Sequence, residues 1–212
     1  MDSKLDEALP LADRATLNIL SAIEEDVEHS QRSLTKRIGI ALGLTNSLLK
    51  RAARKGYIKI RQVPAKRFAY YVTPKGFAEK SRLVSEYLRS SLRFFRNARI
   101  QYESVFADVA AAGYERVVLF GTSELAEIAS LSVHESGLTI AGIVQPGANT
   151  PTFAGLKVLG RIEDVIDMPD TAVVITDASA PQSAFDLLSE KLDRERLFAP
   201  GLLYIRMAKE AA

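Results

Sequence analysis

Between Gln31 and Arg82 the chain sets fourteen Lys and Arg residues against one acid, Glu79, a local charge of +13 in a protein whose total is +2. Side chains of this type neutralise phosphates, so the segment reads as a surface for a polyanion. Residues with base-reading chemistry lie inside it. Asn46 can make paired hydrogen bonds to an adenine edge, and Lys50 or Arg51 to guanine, in a major groove wide enough to admit a helix. Thr45 and Ser47 suit phosphate oxygens or a thymine methyl, and Arg54 extends the basic face. Lys66 and Arg67 would reach phosphate or the minor groove, positioning the protein more than specifying a sequence. The charge is confined to one half: residues 1–100 hold twenty bases and ten acids, residues 101–212 eight bases and sixteen acids. A polyanion-binding half is thus joined to a half with another task.

That second half has a pattern of its own. Gly121-x-Ser123-x-x-Ala126 follows the apolar run at 117–120, where a dinucleotide fingerprint stands between strand and helix. Gly121 permits the tight turn and Ala126 the close helix–sheet packing, while Ser123 replaces the glycine that lets a pyrophosphate approach the backbone. Its hydroxyl, and the N–H groups of the helix N-terminus, can themselves bond phosphate. Where an NAD-binding domain carries Asp or Glu at the end of its second strand, this chain has Gln145, which can bond a ribose hydroxyl.

Other chemistry is sparse. Without cysteine there is no disulfide, thiolate zinc site or cysteine-ligated cluster, and His29 and His134 lack carboxylates at metal-ligand spacing. There is no P-loop, no Ser/His/Asp order and no paired-carboxylate spacing. Asp177 follows an apolar strand as in a phospho-accepting receiver, but the first strand lacks the acidic pair that would hold magnesium. The expectation is a non-enzyme with no metal and no required cofactor. No apolar run reaches the ~18–20 residues that span a bilayer. The start MDSKLDEALP is polar and acidic, unlike a secretory signal, and 47% apolar content is that of a globular chain. A cytoplasmic protein is expected.

The elements that must position these residues follow from periodicity. Leu11, Ala15, Leu17, Leu20, Ile23 and Val27 predict an amphipathic helix over 11–27. Ser33 caps a short helix at 34–39, and a third helix at 41–55 ends on Gly56, its inward side being Leu44, Leu48, Leu49 and Ala52. Two β-rich runs, 57–62 and 68–73, flank a basic tip. The order is a helix-turn-helix followed by a wing. Residues 75–112 form one helix of about 55 Å at 1.5 Å per residue. Along it Val84, Leu88, Ser91, Phe95, Ala98, Tyr102, Val105 and Val109 alternate spacings of four and three, a seam that would pair two subunits. Beyond it, strands at 117–120, 138–144, 158–160, 172–176 and 202–205 alternate with helices at about 124–135, 162–166 and 182–192. That alternation indicates a small parallel sheet of Rossmann type.

The stretch LTKRIGIALGLTNSLLKRAARKGYIKI, the wing and TPKG at 73–76 resemble the MarR-type winged helix of bacterial transcriptional regulators, especially a subgroup associated with exopolysaccharide and lipopolysaccharide gene clusters. The resemblance covers about residues 11–90 and implies control of bacterial transcription. In the second half, VVLFGTSELAEIA, LTIAGIVQPG, FAGLKVLGRIEDV and TAVVITDAS are similar to the N-terminal nucleotide-binding domain of sugar-nucleotide acetyltransferases, and more distantly to CoA-binding domains. The hexapeptide repeats of those enzymes are absent, so only binding carries over. The resemblance implies that Gly121, Thr122, Ser123 and Glu124 line a phosphate-side loop. It sets Gln145, Pro146 and Gly147 near a ribose or base, and Thr176, Asp177 and Ser179 at the fourth strand's end.

The sequence therefore describes an α/β chain in three parts. Residues 1–74 are a winged helix-turn-helix, 75–113 a long connecting helix that forms a homodimer, and 114–212 a small Rossmann-like effector domain. The expected partners are double-stranded DNA with a palindromic operator and a nucleotide or sugar-nucleotide effector, with no membrane. Two alternatives stay open: an NAD(H)-responsive redox repressor, and an architectural DNA binder whose C-terminal domain is an empty dimerisation module.

Overall fold

The structure, a computed structural model, describes residues 9–25, 31–39, 41–63, 67–168 and 170–206. It is a mixed α/β chain of two units, residues 1–92 and 93–212, with the boundary inside one long helix. Among the described residues no helix is long and apolar enough to cross a membrane.

The first unit contains α1 (Leu11–Glu25), α2 (Gln31–Ile38), α3 (Leu42–Arg54), β1 (Ile58–Val63), β2 (Arg67–Val72) and the start of α4 (Pro74–Ala111). Its core is Ile19, Leu20 and Ile23 of α1, Leu34 of α2, Leu48, Leu49 and Ala52 of α3, and Tyr57, Ile58 and Tyr70. Each large apolar side chain buried this way contributes about 1.5–3 kcal/mol. α3 stops at Gly56: its N–H bonds the Ala53 carbonyl at 3.0 Å, and the Tyr57 N–H bonds Ala52 at 2.9 Å, the two bonds of a Schellman end. β1 and β2 pair antiparallel from Ile58↔Val72 to Val63↔Arg67. Alternation then puts Ile58, Ile60, Phe68 and Tyr70 on one face and Lys59, Arg61 and Tyr71 on the other.

In the second unit the sheet holds β3 (Arg116–Phe120), β4 (Thr139–Val144), β5 (Thr152–Phe153), β6 (Leu156–Leu159), β7 (Thr171–Ile175) and β8 (Leu197–Phe198). Its order is β5-β6-β4-β3-β7-β8. All neighbours are parallel except the β5–β6 hairpin. Leaving out β5, the spatial order reads 3-2-1-4-5, the Rossmann arrangement, and the chain reverses its winding direction between β3 and β7. The helices are α5 (Glu124–Ser132), α6 (Glu163–Ile166) and α7 (Pro181–Ser189). β7 is buried at all five residues, which explains the uninterrupted apolar run: a central parallel strand has no solvent face.

Two expectations are corrected. Residues 202–205 are not the closing strand. Pro200 has no N–H to give a ladder; residues Gly201–Leu203 form a 3-10 turn, and the sheet closes on β8 instead. The seam expected to run along the whole of α4 also divides. Ala98, Tyr102, Val105, Phe106 and Val109 belong to the core of the second unit. Tyr102 donates its hydroxyl to the Ile175 carbonyl at 3.1 Å, and burial holds its phenol well above the usual pKa. Val84, Leu88, Leu92 and Phe95 are exposed. A four-three spacing records an apolar stripe but not what covers it. Here the chain's own sheet covers the C-terminal part.

Candidate nucleic-acid interface and sheet crevice

α3 buries Thr45, Leu48, Leu49 and Ala52. These positions fall at i, i+3, i+4 and i+7, one stripe of the helix. The opposite stripe is solvent-facing: Gly43, Leu44, Ser47, Lys50, Arg51 and Arg54 are all exposed. Ser47, Lys50, Arg51 and Arg54 therefore stand where the sequence reading put them, on one outward surface. Thr45 does not. It is fully buried, accepts a hydrogen bond from the Thr35 hydroxyl at 3.2 Å and donates to the Ala41 carbonyl at 3.3 Å, so it ties α2 to α3 and is not on the outward surface. Leu44, expected inside, is outside. The two adjacent residues have exchanged faces relative to the reading, because a threonine's polarity is satisfied here by the neighbouring helix. Asn46 is half-buried. Its Oδ1 is covered and without a hydrogen-bond partner, and the residue lines a cavity of about 290 Å³ with Leu49, Lys50, Ile60, Phe68 and Tyr70. In this rotamer it does not present both amide atoms to an adenine.

The wing contributes cations on the face away from that cavity. Lys59 and Arg61 of β1 are exposed there, and the sequence reading did not single them out. Period-two alternation was the available signal. Arg67 opens β2, and Lys66 lies outside the described residues. Among the described residues no acid pairs with Lys50, Arg51, Arg54, Lys59 or Arg61. Arg82, by contrast, bonds Glu79 and Glu86, Lys80 bonds Glu24, and Arg37 pairs with Glu25. The Arg82 guanidinium holds the Glu79 carboxyl below its ordinary pKa. Within this basic segment Arg37, Lys80 and Arg82 thus form a paired set beside α1 and α4, and Lys50, Arg51, Arg54, Lys59 and Arg61 an unpaired set on α3 and β1.

TPKG has a structural explanation. The Thr73 hydroxyl donates to the carbonyls of Gly56 and Tyr57 at 2.6 and 3.1 Å and accepts from the Gly76 N–H at 3.1 Å. A Cβ on Gly76 would stand 2.0 Å from the Tyr57 oxygen. Threonine and glycine together seat the start of α4 against the turn that ends α3. Lys55 and Lys75 both lie over the Tyr57 ring, with ammonium–centroid distances of 5.4 and 5.9 Å.

In the second unit the sequence-selected residues converge at the carboxyl ends of β3, β4 and β7, where the sheet changes winding direction. Gln145 Oε1 accepts from both the Thr122 N–H at 2.9 Å and the Thr122 hydroxyl at 3.0 Å. Ser123 caps α5, its Oγ accepting from the Leu125 N–H at 3.1 Å and donating to the Thr176 carbonyl at 2.5 Å. The Thr176 hydroxyl lies 3.0 and 2.7 Å from the carbonyls of Phe120 and Gly121. Asp177 Oδ1 accepts from the N–H and hydroxyl of Ser179 at 2.7 and 2.6 Å. Glu124, at the start of α5, is exposed, as are Pro146 and Gly147 after β4. Gly121 has φ +104, and a Cβ on it would sit 2.7 Å from the Asp177 backbone. The bare glycine therefore accommodates the β7 loop.

Residues 13–59 match the winged helix-turn-helix DNA-binding family model. With the β1–β2 hairpin that follows, this part of the chain has the fold of a winged helix-turn-helix. No curated protein matches the sequence. Among solved structures the chain is similar to the PcaV transcriptional regulator of Streptomyces coelicolor, at 20% identity over 46% of this chain and 73% of that one, TM-score 0.39. It is also similar to the N,N-8-amino-8-demethyl-D-riboflavin dimethyltransferase RosA of Streptomyces davawensis, at 12% identity over 87% of this chain and 59% of that one, TM-score 0.25. At TM-scores of this size neither likeness bears on function. The winged-helix match covers α1, α2, α3 and the start of β1, the elements that carry the unpaired cations of α3 and Lys59.

Proposed function

We propose that the chain is a homodimeric bacterial transcriptional regulator of the MarR type, acting in the cytoplasm on a palindromic operator, and not an enzyme. The observation that carries this reading is the exposed, unpaired cations of the winged helix-turn-helix, Lys50, Arg51 and Arg54 on α3 and Lys59 and Arg61 on the hairpin. α3 enters the major groove and the wing follows the backbone. Two half-sites require two copies, and the exposed apolar residues of α4 from Val84 to Phe95 are the surface that pairs them. Fluorescence anisotropy on duplex DNA tests the reading. The slope of log K against log[salt] is about −0.9 per phosphate contacted, so Lys50→Ala with Arg54→Ala flattens it by up to about two contacts. Affinity that does not respond to salt would overturn the assignment.

The second unit, in this proposal, senses a nucleotide-containing metabolite such as a sugar nucleotide. The support is the convergence of Gly121, Thr122, Ser123, Gln145, Thr176 and Asp177 at the winding reversal of a Rossmann-ordered sheet. A phosphate or ribose oxygen would take the Thr122 N–H and hydroxyl from Gln145. The ligand would regulate by binding DNA-competent and incompetent arrangements unequally. A thermal-shift panel of UDP-sugars, NAD(H), NADP(H) and CoA esters finds the class. Gln145→Glu then locates it, because a carboxylate keeps the bonds to Thr122 and sets a negative charge where a phosphate would sit. A nucleotide that stabilises wild type and Gln145→Glu equally binds elsewhere. One observation favours a second reading, a scaffold with an empty crevice: Gln145, Thr176 and Asp177 already occupy the loop's donors and its open space. Failure of the whole panel to shift the melt would decide for it.

A further inference from the structure

The core does not account for Leu44. It is 51% exposed, whereas Leu48 and Leu49 of the same helix are 9% and 2% exposed. Counted along α3, Leu44, Ser47 and Arg51 stand at i, i+3 and i+7 on the outward stripe. Leu44 lies in the first turn, the part of a recognition helix that approaches base edges. Gly43 precedes it. A glycine inside a helix costs about 1 kcal/mol relative to alanine, yet a Cβ at Gly43 would meet nothing within 4 Å. Packing demands neither residue. An apolar side chain beside bare backbone on this turn suits close contact with an apolar group in the groove. The major-groove edges of the four bases offer one such group, the C5-methyl of thymine. Of the neighbouring candidates Thr45 is fully buried and the Asn46 carbonyl oxygen covered, while Ser47, exposed on the same stripe, has no methyl to pack and offers a hydroxyl suited to a phosphate oxygen.

We infer that Leu44 is a specificity-determining residue that reads a thymine by packing on its C5-methyl, with the uncovered backbone at Gly43 allowing the approach. The inference rests on the DNA-binding reading above. Cytosine at the same position would lose the methyl contact and present an amine donor that leucine cannot satisfy, a second penalty.

The test uses the full-length protein. An operator is selected from a random duplex pool, each thymine is replaced singly by deoxyuridine, which removes only the methyl, and binding is followed by anisotropy at fixed salt. Wild type is expected to lose about fourfold at one thymine per half-site, the equivalent of about 0.8 kcal/mol for one buried methyl. Leu44→Ala binds the parent operator more weakly and shows no further loss at that thymine, while Leu44→Met restores the loss. Because Leu44 is exposed, Leu44→Ala should melt with wild type; if it melts lower, Leu44→Gln, of similar length with a polar end, takes its place in the comparison. The inference is overturned if the variant keeps the wild-type penalty at every thymine, or if no thymine gives wild type a penalty. Selection that yields no preferred sequence overturns base reading altogether. A preferred operator with an unchanged deoxyuridine profile removes only the role of Leu44.

Discussion

Replacing Gly121 with alanine distinguishes a glycine kept for a phosphate from one kept for the fold. At φ +104 an L-residue is strained, at a cost of about 1–3 kcal/mol. The new Cβ would lie 2.7 Å from the Cα, Cβ and N of Asp177. These are mainly backbone atoms, held by the β3–β7 ladder and by the Thr176 hydroxyl at the Phe120 and Gly121 carbonyls. They cannot turn aside as a flexible side chain would. Overpacking of this kind adds about 1–3 kcal/mol, so the total is about 2–6 kcal/mol against the 5–15 kcal/mol that hold a typical domain. At about 3 °C per kcal/mol for a unit of this size, the midpoint falls by roughly 6–18 °C. Gly147→Ala is the control: φ is +73 but a Cβ would meet nothing within 4 Å, so only the strain of about 1–2 kcal/mol remains. Thermal and urea melts followed by circular dichroism give the midpoint and the free energy for both variants. If Gly121→Ala melts with Gly147→Ala yet abolishes binding of a nucleotide found by the panel, the space at Gly121 serves the ligand and the steric argument is wrong.

Three further substitutions are decided by where side chains are buried. Phe95→Asp, at a position 37% exposed, should keep the native circular-dichroism spectrum and move the protein to monomer in sedimentation. Val105→Asp, at 7% exposed within the second core, should unfold that unit, because an unpaired carboxylate there has no partner. A stable Val105→Asp monomer would return the C-terminal part of α4 to the interface. Thr45→Val keeps the shape of a fully buried side chain but removes its bonds to Thr35 and Ala41. A loss of about 1 kcal/mol in urea is expected, with base preference intact; altered preference at a single base pair would mean that Thr45 reaches DNA after all.

Much of this protein is written in local chemistry. Charge marked out the basic half, since fourteen bases against one acid in 52 residues need no fold to be seen. Periodicity located α1, α3, the hairpin and α4, and the buried runs 117–120 and 172–176 marked the central parallel strands, because both signals come from which faces water can reach. Even the crevice residues were legible, since a βα turn places Gly121 to Glu124 at a strand's carboxyl end whatever the partner strands are. Partnership was not legible. Leu44 and Thr45 are neighbours that could each face in or out of α3, and a hydroxyl 3.2 Å away on α2, ten residues back, decided for Thr45. The α4 stripe is continuous in sequence, but the second unit's own core claims Tyr102, Val105 and Val109 and leaves Val84, Leu88 and Phe95 exposed. Gly121 carries a fingerprint's spacing, and only the approach of Asp177, fifty-six residues on, shows what its missing side chain admits. Spacing along a chain records which groups share a face. What fills the space opposite that face depends on elements distant in sequence, and only folding brings them there.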